Sequence, residues 1–326
     1  MLFKEHLGRI ATRAAAGLVA GAALASCGGG TYQVRAFVPA RILTFGDESN
    51  SLIGPQGLKY SINGLSTTTA QIDCSVNPLW TQVLANSYNI SYSNCNTQGV
   101  ASPSAFDFST LNATVSDVVN QVAAFQSGDS FNPDDLVTIW VGAHDVLNEY
   151  QTNGSGDDVN ALVGTMSAAA STLAGTVNAI TATGAKVILL TVADEGDSPF
   201  AQTENQRGDF DRATLLSQMT AGFNNSLRSN IVNDGSKIGL VLADDFTHNA
   251  VRSPGSYGLI SAPNLTFGCI DIAPLPNCTD DTLNTNVATN SDLPNIWLWA
   301  DPTHLAPTAH QQIGNQAVSR AHSNPF

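Results

Sequence analysis

Three short stretches concentrate the side chains that could do chemistry: Gly46-Asp47-Glu48-Ser49, Gly142-Ala143-His144-Asp145 and Asp301-Pro302-Thr303-His304. The last places a carboxylate three residues before an imidazole, on a turn that precedes a helix, so both side chains can face one way. Asp301 can then take the hydrogen bond from one ring nitrogen of His304 and leave the other free to accept a serine proton. Ser49 is the candidate hydroxyl. It follows the apolar run Ile42-Leu43-Thr44-Phe45 and a glycine, Gly46, which lets the backbone turn sharply. Small polar residues after such a turn can cap a helix, and amides at a helix start can hold an anion or an oxyanion. An ordinary strand-to-helix turn has the same appearance, so the role of Ser49 depends on His304 reaching it.

The surrounding chain alternates buried-strand runs with amphipathic stretches. Strands are expected at residues 42–45, 90–92, 136–141, 186–192 and 238–242, and helices at 77–88, 111–125, 159–183, 210–233 and 307–321. That alternation implies a parallel sheet covered on both faces, with ligands collecting at the carboxyl ends of its strands. Strand 42–45 is expected to be central. Gly46 to Ser49, Gly99 and Gly142 to His144 then all lie at that edge. Trp297 and Trp299 alternate and so share one side of a short strand, where they line an acyl or sugar pocket or, more simply, pack in the core, as expected for Trp80 and Trp140. His6, His248, His310 and His322 are expected to be solvated.

The chain has 326 residues, 43% of them hydrophobic and 12% charged, which suffices for one large core. A formal charge of −14 argues against a nucleic-acid partner, which wants stripes of Lys and Arg. Residues 1–27 read as a leader: Lys4, Arg9 and Arg13 precede an apolar segment too short to span a bilayer. It ends Leu24-Ala25-Ser26-Cys27, which resembles the lipobox of bacterial lipoproteins and implies lipid attachment at Cys27. The residue after Cys27 is Gly28 and not Asp, which in the familiar Gram-negative sorting pattern implies anchoring in the cell envelope at the outer membrane. Residues 28–39 then form a tether and 40–326 a single domain. Four cysteines remain for an oxidising compartment, with three possible connectivities; Cys74–Cys95 and Cys269–Cys278 are the most economical because each closes a short loop. No cysteine or histidine spacing suggests a structural metal, and no metal or cofactor is expected.

Phe45-Gly46-Asp47, Gly99, Gly142-Ala143-His144-Asp145 and Asp301-Pro302-Thr303-His304 match, in order and approximate spacing, the motifs of GDSL-type (SGNH) hydrolases, which the chain resembles over nearly all of residues 40–326. The resemblance implies a flavodoxin-like three-layer α/β sandwich with a central parallel sheet of about five strands. It also implies an esterase or lipase acting on small-molecule, lipid or sugar esters through Ser49, His304 and Asp301. The backbone amides of Ser49 and Gly99, with the side chain of His144, would hold the oxyanion. No G-x-S-x-G, phosphate loop or HExxH occurs.

Two departures stand out. The family has Gly-Asp-Ser, whereas Glu48 follows Asp47 here. Read without a gap, Glu48 occupies the nucleophile's position; read with one inserted residue, Ser49-Asn50-Ser51-Leu52-Ile53-Gly54 aligns with Ser-x-Ser-x-x-Gly, and that alignment makes Ser49 the expected nucleophile. His144 stands where the family has an oxyanion-holding asparagine; a neutral imidazole can donate one N–H in its stead. The rival reading is a degenerate domain that binds carbohydrate or an envelope partner without turnover.

Overall fold

The computed structural model describes residues 36–155, 158–285 and 293–323. The expected leader with Cys27 and His6, and most of the tether, lie outside them. Five strands form one all-parallel sheet in the order β2-β1-β3-β4-β5: β1 is Arg41–Gly46, β2 Ala105–Asp107, β3 Asp135–Trp140, β4 Lys186–Leu190 and β5 Ile238–Val241. Eight α-helices connect them among the described residues. They are α1 (Trp80–Ser87), α2 (Val115–Gly128), α3 (Ala143–Asn153), α4 (Val159–Ala182), α5 (Pro199–Asn205), α6 (Arg212–Asn230), α7 (Ala243–Arg252) and α8 (Pro307–Ala321).

Side-chain alternation along each strand sorts the core into two layers. Leu43, Phe45, Val137, Ile139, Val187 and Leu189 pack on one face, against residues of α2, α3, α4 and α6. Ile42, Leu136, Ile188 and Leu190 pack on the other, against residues of α1, α7 and α8. Both faces being covered explains why β1, β3 and β4 read as unbroken apolar runs. Burying a side chain such as Phe45 is worth about 2–3 kcal/mol, so these strands anchor the sheet.

The strand and helix expectations need three corrections. Residues 90–92 are not a strand of the sheet; Tyr92 makes only a single bridge to Ala105, and the second strand is β2. β1 is flanked on both sides, but the middle strand is β3. Helices α3, α5 and α7 add to the expected set. The cysteines are joined as Cys74–Cys95 and Cys269–Cys278. Trp297 and Trp299 are buried in different apolar clusters, so they line no shared pocket wall. His310 is not solvated: it is buried beside Trp140 with its Nδ1 unpartnered, and burial pushes its pKa down to about 3.

Candidate active site

β1 and β3 run in register, Gly46 beside Trp140, so their two exits open side by side. Gly46 has φ of 140°, and a Cβ there would collide with the Trp140 carbonyl and the Asn50 side chain. The chain then turns tightly. Asp47 Oδ1 accepts the Ser49 amide at 2.9 Å, while the amides of Asn50 and Ser51 donate to the carbonyls of Asp47 and Glu48, each at 3.1 Å. Asn50 is fully buried and locks the turn, donating to the Trp140 carbonyl at 2.8 Å and accepting from the Trp80 indole at 3.0 Å. These successive turns hold residues 47–51 tightly. The side chain they deliver is that of Glu48.

Glu48 Oε1 lies 2.9 Å from His304 Nε2 and 2.5 Å from His144 Nε2. Its Oε2 accepts the backbone amide of Asn112 at 2.7 Å, which fixes the carboxylate from behind. His144 comes from the first turn of α3, after Gly142. His304 comes from the turn before α8. Its Nδ1 is 2.9 Å from both oxygens of Asp301, and Asp301 Oδ1 also accepts the amides of Thr303 and His304 at 2.8 and 2.7 Å. The Tyr60 ring flanks the imidazole, 5.5 Å between centroids.

Asp301 and His304 are therefore joined to each other, but the expected contact of Ser49 with His304 is not made: among the described residues no hydrogen bond links them, and Glu48 holds that place. The three expected oxyanion donors are not brought together either. The Ser49 amide is taken by Asp47, and His144 Nε2 faces Glu48. Gly99 lies in an exposed loop before β2 with its amide donating to the Asn96 carbonyl at 3.2 Å. The cause in the last case is the misplaced second strand. Ser109, just past β2, sits at the edge instead, and its amide is bound to Asp107 Oδ1 at 3.0 Å.

The electrostatics follow from burial and pairing. Burial disfavours the charge on Glu48, but hydrogen bonds from His144 and His304 outweigh it and hold the carboxyl well below its usual range. Burial likewise opposes protonation of His304, yet Asp301 and then Glu48 raise it to about 10, so it is an imidazolium at neutral pH. The His144 pKa is also raised, burial being overcome by Glu48 and then Asp47. Asp47, enclosed and beside the Glu48 charge, is pushed up to about 7. An imidazolium cannot take a serine proton; it can give a proton to a leaving group.

Three further residues at the site carry no motif. Asn112 acts through its backbone, and Tyr60 lies in a loop without periodicity. Glu195 is buried with Oε2 unpartnered, within electrostatic reach of His304, Asp47 and Asp301; burial raises its pKa well above the usual value. The polar run Asp194-Glu195-Gly196-Asp197 after β4 could have marked a further strand exit. Among the described residues, two clusters have side chains suited to a metal ion: Glu48, His144 and His304, and separately Asp194, Asp197 and His248, each with ligand atoms within 4.8 Å of one another.

With this geometry in hand, the chain belongs to the GDSL-like lipase/acylhydrolase family, whose model matches residues 42–317. It is similar to the phosphatidylcholine-sterol acyltransferase of Aeromonas hydrophila, 26% identical over 201 residues, which cover 59% of this chain and 54% of that protein. The chain thus spans about half the length of this relative. Among solved structures it is similar to the lipase Lip_vut3 from a goat rumen metagenome, with a TM-score of 0.47 and 11% identity over 87% of this chain and 98% of that one. A lipolytic G-D-S-L family protein from Veillonella parvula matches with a TM-score of 0.40 and 11% identity over 86% and 96%.

Proposed function

We propose that the chain hydrolyses carboxylic esters at the Glu48, His304 and Asp301 cluster by direct attack of water, without a serine acyl-enzyme. The observation that carries this reading is the 2.9 Å contact of Glu48 Oε1 with His304 Nε2, where a serine hydroxyl would have to sit. Water adds to the ester carbonyl and passes a proton to Glu48. His304 gives its proton to the departing alkoxide, and the proton on Glu48 returns to His304 across their contact. Asp301 keeps the imidazole oriented throughout. Glu48 is a weak base because its charge is so well held, so this machinery alone gives modest rates.

The test is hydrolysis of p-nitrophenyl esters together with a fluorophosphonate probe. Ser49→Ala should keep activity within about twofold and the wild type should not label, whereas Glu48→Gln should lose about a hundredfold or more. Labelling that disappears in Ser49→Ala would instead establish a Ser49 acyl-enzyme and sink the proposal. The similarity to an acyltransferase named for phosphatidylcholine makes phospholipid esters natural first substrates beside short-chain ones. A second reading, a non-catalytic domain that binds carbohydrate or an envelope partner, is favoured by the same observation, since both imidazoles are engaged by Glu48. Lipid attachment at Cys27 and residence in the cell envelope belong to the proposal; a mature chain lacking a diacylglyceryl-modified Cys27 by mass spectrometry would refute them.

A further inference from the structure

We propose that Glu48, His144 and His304 form a binding site for a divalent transition metal, zinc, and that the bound ion supplies the attacking water. The catalytic half rests on the proposed hydrolysis; the binding half does not.

Glu48 Oε1 has two imidazole nitrogens converging on it, at 2.5 and 2.9 Å. Asp301 accepts from His304 Nδ1 with both oxygens, so in the neutral ring Nε2 bears the lone pair and points at an oxygen lone pair. Either a proton or a cation must lie between them. In metal-free protein the extra proton of an imidazolium His304 and the Nε2–H of the His144 ring meet the two contacts; one metal ion would take the place of both. Two imidazoles and a carboxylate are a ligand set that zinc takes in hydrolytic sites, with a fourth position left for water. Zinc ligands at about 2.0–2.1 Å stand roughly 3.3 Å apart in a tetrahedron, and the three ligand atoms already lie within 4.8 Å of one another, so side-chain shifts of about 1 Å seat the ion.

The surroundings point the same way. Asp301 behind His304 makes the carboxylate–histidine–metal arrangement that fixes a ligating ring, and the Asn112 amide at 2.7 Å holds the far oxygen of Glu48. Asp47, Glu195 and Asp301 add carboxylates around the cluster. Glu195 contributes a buried Oε2 with no hydrogen-bond partner, in electrostatic range of His304. The positions are separated by 96 and 256 residues, which is why no ligand spacing is visible in the chain.

A bound zinc lowers the pKa of its water to about 7. The hydroxide left when that proton departs adds to the ester carbonyl, the bond between carbonyl carbon and alkoxy oxygen breaks, and the alkoxide leaves as the alcohol with the released proton. One water is consumed and nothing is oxidised. In this form His304 is a ligand and no longer the acid.

The experiment uses untagged full-length protein, stripped with a chelator and dialysed, then titrated with zinc by calorimetry, with bound metal counted by elemental mass spectrometry. One zinc per chain is expected. Glu48→Gln and His144→Asn should each weaken it at least tenfold, and Asp301→Asn by about 10–100-fold, with circular dichroism confirming that each variant is folded. His248→Ala, at the other cluster, should leave the affinity unchanged. Absent binding, or binding that Glu48→Gln and His144→Asn leave intact, overturns the site. Tighter binding of Mn2+ or Fe2+ than of zinc overturns the metal assignment. Ester hydrolysis that continues undiminished in stripped protein overturns the metal's catalytic role and leaves the hydrolysis standing. Zinc bound at this site with no ester cleaved overturns the hydrolysis and leaves the metal site standing.

Discussion

Neutralising Glu48 in metal-free protein tests the pairing on which the site depends. Glu48→Gln keeps the shape of the side chain and removes its charge. The rise of the His304 pKa from 6.5 to about 10 amounts to roughly 5 kcal/mol in favour of the imidazolium. Burial opposes the shift and Asp301 contributes more than Glu48; a carboxylate in hydrogen-bond contact is worth about 1–2 pK units, so losing the Glu48 charge removes about 2 kcal/mol. A group whose folded pKa is raised stabilises the fold in full below its unfolded value and loses that stabilisation as pH rises through the folded value. The wild type should therefore be most favoured by His304 below pH 6.5 and lose this contribution by about pH 10. In Glu48→Gln the loss should be complete near pH 8–9, so the deficit relative to wild type should hold at about 2 kcal/mol from pH 6 to about pH 8 and close between there and about pH 10. The His304 Cε1–H chemical shift, assigned with His304→Gln, reports the pKa, and urea unfolding at several pH values reports the stability. A His304 pKa that moves by less than about half a unit would refute the pairing, because a charge in hydrogen-bond contact cannot be removed without a larger effect.

Two other substitutions probe how the fold holds the site. Asn50→Ala leaves the buried Trp80 indole without its acceptor and takes from the Trp140 carbonyl one donor, the Asp47 amide at 3.3 Å remaining, and should cost about 2–3 kcal/mol in urea unfolding; a loss below about 1 kcal/mol would mean that the turn is held elsewhere. Gly142→Ala places a Cβ 2.6 Å from Val192 Cγ2 and 2.7 Å from Phe223 Cζ at a φ of 125°, and should cost about 2–4 kcal/mol. A melting temperature within about 1–2 °C of wild type would show that this exit tolerates a side chain.

How much of this was visible beforehand depended on how strongly packing writes itself into the chain. β1, β3 and β4 are buried on both faces and so appear as continuous apolar runs. α8 is opened by Pro307, which suits a first turn and marks its start without ambiguity. β2 is three residues long at the edge of the sheet, and Ala-Phe-Asp has no pattern to read; register with β1 makes it a strand. The more apolar run at 90–92 is the one that reads as a strand, and Gly99 is expected at its exit, whereas it lies in an exposed loop before β2. Helix α3 is short and mostly polar, with only Val146, Leu147 and Tyr150 buried, so the helix that presents His144 stayed hidden behind its glycine.

The harder case is the choice between Glu48 and Ser49, which differ by one position in a turn. Counting motif matches favours an insertion, because Ser49, Ser51 and Gly54 then all align. Geometry weighs differently. An inserted residue must bulge somewhere, yet Asp47, Glu48, Asn50 and Ser51 close two overlapping turns, and Asn50 is gripped at both ends of its amide. The later serines have duties of their own: Ser51 Oγ pairs with Ser109 at 2.8 Å, beside Asp107, which holds the Leu52 amide at 2.8 Å. Position 48 is then the only one whose side chain the turn aims at His304, and what stands there decides the chemistry. A serine would have left one imidazole free to act as a base. A carboxylate draws in a second, His144, at the position where the family keeps an asparagine. The two departures therefore explain each other: Glu48 brings a charge that one asparagine amide would satisfy poorly, and His144 answers it, so that replacing either alone should leave the other mismatched.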